Sequence, residues 1–420
     1  MFKDIDKCIE WIEHQKRGSA SGFEGMARLC AIFGNPQNNY KIIHVAGTNG
    51  KGTTVNYIAN MLVTTECTVG TFTSPYIECF NERIQINGKY IPDDSVVDYC
   101  NYINSKVDIE KMEGIGFFSL ITLIMFLYFK DKKVDYAIIE TGIGGTYDST
   151  NVVTPIVTAI TSISYDHAEM LGKTLENIAK NKLGIVKQDV PLVTLYNEKI
   201  IDLVNAKCTE MNAPLILVKP EYFHNINIST QVTKFDYDST CHFDFKDISL
   251  KMLGRYQIEN AAIAIEVILQ LQKLGCGITY DSVFEGLIKT FMPGRLEVVS
   301  KNPLIILEGA NNVSGIERLI EFIKEIKANK KVNIMVAISA NKDKKAMIDL
   351  LSSVADTITF TTFSYHRRSA NGKDLYNLCN HTNKYYEESI PEIVKMAKKS
   401  NDITFFTGSL YFVSEVRKLF

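Results

Sequence analysis

Residues 41–62, KIIHVAGTNGKGTTVNYIANML, decide how the rest of the chain is read. Lys41–Ala46 is a short apolar run with β-branched residues, which suits a buried strand, and from Thr53 to Leu62 the apolar positions fall at helical spacing. The turn between them, Gly47-Thr48-Asn49-Gly50-Lys51-Gly52-Thr53, carries three glycines that let backbone amides crowd around an anion. The N-terminus of the following helix adds partial positive charge, so a polyphosphate is the natural guest. Lys51 would meet the outer phosphates and Thr53 would offer a hydroxyl to magnesium. The common P-loop pattern is met only in part, because Val45 replaces its first glycine and Gly52 its Ser/Thr after the lysine. A plain strand-to-helix turn is the competing reading, although such turns seldom need three glycines.

A chain of 420 residues is long for one core, so two domains are expected. The net charge of -2 gives no bias toward nucleic acid or membranes and favours a small-molecule partner. Nine cysteines without a C-x-x-C pair read as reduced thiols in a cytoplasmic compartment. The opening MFKDIDKCIEWIEHQ lacks the apolar core of a secretory signal. Ile115–Phe129 is the most apolar stretch, yet it falls short of the roughly 20 residues of a membrane span and reads as a buried helix.

In chain order, helices are expected at Asp4–Glu13 and Glu24–Phe33, separated by a flexible Gly18–Gly22 segment. A strand at Thr68–Thr73 runs into a loop at 74–83. The strand Val134–Ile139 delivers Glu140 to the carboxyl edge of the sheet, where nucleotides and their metals bind in α/β folds, and Pro155–Ile163 delivers Asp166 and His167 to the same edge. On these grounds alone His167 is either a ligand or a satisfied loop histidine. Lys180 and Lys182 on a helix at 174–186, and Lys187 just past it, read as solvated lysines. Ala213–Leu253 alternates in short segments, which predicts a small antiparallel sheet. Asn260, early in an apolar helix, reads as a cap or a backbone partner. Phe291-Met292-Pro293-Gly294-Arg295 marks a domain junction. Strands at 303–308, 332–338, 356–361 and 403–407, with a last helix near 409–418, give a smaller, mostly parallel α/β domain.

Several motifs in order make a chance match implausible: IFGNPQ (32–37), IHVAGTNGKGT (43–53), TSP with NERIQING (73–88), Glu140–Val153, ITSISYDHAEMLGKTLENIAKNKLGIVK (160–187), PGRLEVV (293–299) and TGSLYFVSEVR (407–417). Nearly end to end, the chain resembles the folylpolyglutamate synthases and dihydrofolate synthases, a branch of the Mur ligase superfamily. The resemblance implies a P-loop-type Mur ligase central domain at 1–296, with a mostly parallel sheet plus a small antiparallel sheet. It also implies a Rossmann-like C-terminal glutamate ligase domain at 297–420. It further implies an ATP- and magnesium-dependent ligase that joins a folate or pteroate carboxylate to L-glutamate through an acyl phosphate. The enzyme would be a cytoplasmic monomer with no nucleic-acid or membrane partner.

Carried over by position, Thr48, Asn49, Gly50, Lys51, Gly52 and Thr53 would hold the phosphates, and Thr53 and Ser74 would face magnesium. Glu140 and His167 would be metal ligands. The resemblance also changes the reading of Lys182, since the family's lysine there can be carbamylated into an anion that joins the metal site. Lys51, Glu140, His167 and Lys182 thus form the expected catalytic set. Asn260 would recognise adenine, Arg295 would reach the phosphates, and Glu308 would lie at the nucleotide's end. Ser74, Arg83, Asp148 and Asn151 would border the pterin substrate.

Departures from the family pattern are Tyr76 for His, Thr146-Tyr147 for Arg-Leu, Tyr256 for His, and Glu308-Gly309-Ala310-Asn311-Asn312 for Asp-Gly-Ala-His-Asn. They keep two alternatives open: a paralogous ligase acting on another carboxylate, and a non-catalytic nucleotide-binding relative.

Overall fold

The computed structural model describes residues 1–15, 22–365 and 369–420, so the Gly18–Gly22 expectation lies, apart from Gly22, outside the described residues. Helix α1 (Ile5–His14) starts where Asp4 accepts a hydrogen bond from the Lys7 amide, and it buries Cys8 and Ile12 at i, i+4 spacing. Then come α2 (Gly22–Ile32), β1 (Lys41–Ala46), α3 (Lys51–Val63), β2 (Val69–Phe72), the short hairpin β3 (Ile84–Ile86) and β4 (Lys89–Tyr90), and α4 (Asp93–Lys106). Helix α5 (Phe117–Asp131) buries eleven consecutive residues, Ser119–Phe129, and anchors an apolar cluster with Phe72, Ile84 and Ile139. Strand β5 (Tyr136–Glu140) is buried throughout and ends on Glu140, the residue expected at the carboxyl edge of the sheet.

Past β6 (Val157–Ile160) come α6 (Ala168–Leu171), α7 (Leu175–Lys182), β7 (Leu192–Leu195), α8 (Ile201–Glu210) and β8 (Leu215–Val218). The helix expected at 174–186 ends at Lys182 and tightens into a 3-10 turn, Leu183–Ile185. Eight strands form one sheet in the order β4-β3-β2-β5-β1-β6-β7-β8, parallel except at the hairpin. Strand β1 lies between β5 and β6, with Val45 beside Glu140 and Ala46 beside Ile160. Strand order reverses at β1, so the glycine-rich turn lies at the switch point where such sheets bind ligands.

The antiparallel sheet is smaller than expected. Leu215–Val218 joins the edge of the parallel sheet, which leaves β9 (Phe223–Ile228), β10 (Thr233–Asp238) and β11 (Asp244–Leu250). Helices α9 (Arg255–Lys273) and α10 (Tyr280–Lys289) follow. The remaining chain gives β12 (Glu297–Lys301), β13 (Leu304–Glu308), α11 (Val313–Ile326), β14 (Val332–Val336), α12 (Lys344–Ser352), β15 (Thr357–Phe360), α13 (Gly372–Leu378), β16 (Lys384–Tyr386), α14 (Ile390–Lys399), β17 (Ile403–Thr407) and α15 (Leu410–Arg417). These strands form a sheet ordered β12-β13-β17-β14-β15-β16. It is parallel apart from β12, which pairs antiparallel with β13. Strands β12 and β16 were not expected from the sequence.

The described chain divides into two compact units, Met1–His224 with Tyr237–Lys246 and Glu259–Lys289, and Asn225–Asp236 with Asp247–Ile258 and Thr290–Phe420. No helix among the described residues is long and apolar enough to cross a membrane.

Candidate active site

Strand β1 ends directly in the glycine-rich turn, and bonds to the segment after β6 hold the turn's shape. The Thr48 amide donates to Ser162 O at 2.7 Å, and the Thr48 hydroxyl donates to Ser164 O and accepts from the Ser164 amide. The Asn49 amide donates to Ser162 Oγ, while Thr161 Oγ1 donates to Asn49 O at 2.7 Å. At Gly47, with φ 153°, a β-carbon would stand 1.8 Å from Thr161 Oγ1. Thr161, Ser162 and Ser164 therefore shape the loop, a role not expected from the sequence. The only signal was three hydroxyl residues in ITSIS, directly past a strand.

Helix α3 begins with Lys51, after Gly50 in a left-handed conformation. Lys51 Nζ lies 3.7 Å from Glu140 Oε1, and Glu140 Oε2 accepts the Ser74 amide at 3.0 Å. Thr53 is buried in the first turn of α3. Lys182, only 3% exposed, donates from Nζ to Gly47 O at 2.6 Å. Burial, and then the like charge of Lys51, lower its pKa to about 7, against the opposing pull of Asp166 and Asp148. The structure thus brings Lys51, Ser74, Glu140 and Lys182 together around the loop. His167 takes a left-handed conformation, its amide donates to Asp166 Oδ1, and its Nε2 lies 3.8 Å from Asp166 Oδ2.

No group of three or more His, Cys, Asp or Glu side chains that could hold a metal occurs among the described residues. Magnesium needs no such cage, since it is usually held by one or two carboxylates together with phosphate oxygens and water. Glu140 with the hydroxyls of Thr53 and Ser74 is an all-oxygen donor set of that kind, so the residues fit magnesium accompanied by a polyphosphate.

Asp148 spends its carboxylate on its own loop, accepting from the amides of Gly142, Ile143 and Thr150 and from the Thr150 hydroxyl. Burial raises its pKa, and these bonds oppose the rise. Asn151 Nδ2 donates to Thr146 O and Gly184 O. The Arg83 guanidinium is buried 4.9 Å from the Tyr76 ring centre and 5.3 Å from that of Phe117. The expected 74–83 loop ends in a 3-10 turn at Phe80–Arg83, and Glu82 gathers the amides of Ile77, Glu78 and Cys79. That organising role of Glu82 also went unread in the sequence.

Asn260 lies against the loop, since a β-carbon at Gly50 would stand 2.2 Å from its Oδ1. In the second unit, Glu308 is buried and accepts from Tyr256 Oη at 3.0 Å and from the Leu296 amide at 2.9 Å, with the Arg295 guanidinium 4.0 Å away. Burial raises the Glu308 pKa and Arg295 opposes the rise.

An anion loop at the switch point of a parallel sheet, followed by a second α/β unit, defines a class, and the chain belongs to the Mur ligase family. The Mur ligase middle-domain model matches residues 45–268, and the Mur ligase glutamate ligase domain model matches residues 294–410. Its relatives are more particular. A dihydrofolate synthase/folylpolyglutamate synthase of Bacillus subtilis is 36% identical, over 100% of this chain and 99% of that protein. A folylpolyglutamate synthase of Lacticaseibacillus casei is 34% identical, over 79% of this chain and 78% of that one. Among solved structures, the apo form of L. casei FPGS superposes with a TM-score of 0.87 at 29% identity, covering 99% of each chain. An FPGS-AMPPCP-folate complex does so with a TM-score of 0.87 at 30% identity and the same coverage.

Proposed function

We infer that the chain is an ATP-dependent ligase that joins L-glutamate to the carboxylate of a folate, as a folylpolyglutamate synthase and also as a dihydrofolate synthase acting on a pteroate. The observation that carries this reading is the convergence of Lys51, Glu140 and Lys182 on one anion loop, in a chain whose relatives bear those names.

The acid's carboxylate oxygen attacks the γ-phosphorus of ATP, the bond to the bridging oxygen breaks, and ADP leaves an acyl phosphate. The glutamate amine then attacks the acyl carbon, the C–O bond to phosphate breaks, and the amine's proton passes to solvent. Both reactants of the first step are anions, so neutralising charge around the transferring group is the main demand. The loop amides of Gly50, Lys51, Gly52 and Thr53, with the Lys51 ammonium, meet that demand, while the amides of Thr48 and Asn49 hold the loop in shape through Ser162. Thr53, Ser74, Glu140 and His167 would hold magnesium, which supplies further positive charge when bound. Ser74, Arg83, Asp148 and Asn151 border the acid. Asn260, Arg295 and Glu308 serve the nucleotide. Residues 1–296 form the ATP-binding domain and 297–420 the glutamate ligase domain of a cytoplasmic monomer.

Carbamylation of Lys182 is part of the proposal, favoured by a buried amine whose pKa sits near neutrality. Labelled bicarbonate should give a carbamate carbon resonance that Lys182→Met lacks, and a spectrum without it removes the modification.

The decisive assay incubates the purified chain with ATP, magnesium, L-glutamate and either tetrahydrofolate or dihydropteroate. Phosphate release should require both glutamate and the pterin acid. Lys51→Ala should lower turnover by about 10² or more with the melting temperature kept. Release only with an unrelated acid, or none with any, would sink the reading.

A further inference from the structure

One buried string of polar groups ends at Asp148, and its other two members, His44 and Thr150, have no part in the scheme above. His44, in the middle of β1, is fully buried with Nε2 2.8 Å from Thr150 Oγ1, and Thr150 Oγ1 lies 2.6 Å from Asp148 Oδ1. Asp148 also receives the amides of Thr150, Gly142 and Ile143, each at 3.0 Å. All of these partners donate, as an ionised carboxylate requires. Thr150 has one hydroxyl proton and directs it to Asp148, so its oxygen accepts from His44. His44 therefore carries its proton on Nε2, and its buried Nδ1 is left with no hydrogen-bond partner. An apolar side chain would avoid that orphaned nitrogen, which makes the histidine costly unless the donated proton has a use.

We propose that His44 is a positioning residue for the acid substrate, acting through Thr150 and Asp148 to fix the glycine-rich 142–147 loop beside Glu140. The proposal deepens the ligase reading and rests on it. The relay starts on the strand that has β5 on one side and β6 on the other, and ends at the amides of Gly142 and Ile143, two and three residues past Glu140. The far side of the loop is tied to the Lys182 helix, through the Gly145 amide on Asn181 Oδ1 and the Thr146 hydroxyl on Asn181 O. Fixed at both ends, the loop presents Ile143 and Tyr147 to solvent, an apolar and aromatic edge suited to a flat heteroaromatic acid. The relay acts at the Gly142 end, whereas the phosphate loop is anchored by Thr161, Ser162 and Ser164 and, from the Lys182 helix, by Lys182 Nζ on Gly47 O. Loosening the relay should therefore weaken the acid without weakening ATP.

Thr150→Val removes the hydroxyl at nearly constant volume, and Thr150→Ser restores it. Thr150→Val should raise KM for the folate acid about tenfold, the worth of one hydrogen bond to a charged group. KM for ATP should stay within about twofold, and Thr150→Ser should recover the unaltered values. A parallel rise in both KM values, or a serine variant no better than valine, overturns the proposal. A second readout does not depend on turnover: nitrogen NMR of the imidazoles should show His44 as the Nε2–H tautomer, shifted by Thr150→Val. An Nδ1–H tautomer, or a resonance unmoved by Thr150→Val, overturns the relay. Absence of turnover in the unaltered chain would sink the ligase reading instead.

Discussion

At Gly50 two independent constraints fall on one α-carbon. Its φ of 87° is left-handed, and the Asn260 side chain fills the place of a β-carbon. Gly50→Ala should cost about 1–2 kcal/mol in backbone strain, and should also displace Asn260 or the loop. The expected outcome is a lower melting temperature together with weakened binding of a non-hydrolysable ATP analogue. Calorimetry showing unchanged affinity would contradict it. Residues of this kind differ in how far the sequence exposes them. Lys51 and Glu140 were legible because a glycine-rich turn and the end of an apolar strand announce their own positions. His44 was not, since inside KIIHVA it looks like one more strand residue, and only the fold brings Thr150 beneath it.

Among elements, β1, β5 and β6 were readable because each is a mostly apolar run that, apart from the exposed Lys41, is buried on both faces. Strands β3, β4, β12 and β16 have two to five residues and exposed or half-exposed positions, so their partners define them more than any pattern does. Strand β1 also supplies a pH prediction. Burial, and then the charge of Lys187, lower the His44 pKa from the ordinary 6.5 to about 3. Between those values the unfolded chain binds the extra proton, so stability falls as pH drops through the window and returns as it rises. Asp148 acts in the opposite sense, because its raised pKa lets the folded chain take a proton first at the acid end. Stability lost on acidification inside the His44 window therefore reports His44, since Asp148 works against that loss. There His44→Gln should flatten the loss of melting temperature on acidification. Equal slopes in both proteins would contradict the assignment.

At the scale of the whole molecule, the proposed boundary at 296/297 meets a core that reaches across it. Leu253 and Leu296 are buried in the second unit's apolar cluster, with Tyr256 packed against it. A 297–420 fragment lacks all three, whereas a 290–420 fragment regains Leu296. The longer fragment should be the more stable by about 2–5 kcal/mol, the range for losing a buried leucine. Urea midpoints that coincide would show that Leu296 does not count in that core. The phosphate loop has a kinetic meaning at this scale as well. Because Thr161, Ser162 and Ser164 already set its outline, the loop backbone loses little freedom when a nucleotide arrives. Capture is then governed by diffusive search and orientation instead of by a slow rearrangement of the receptor.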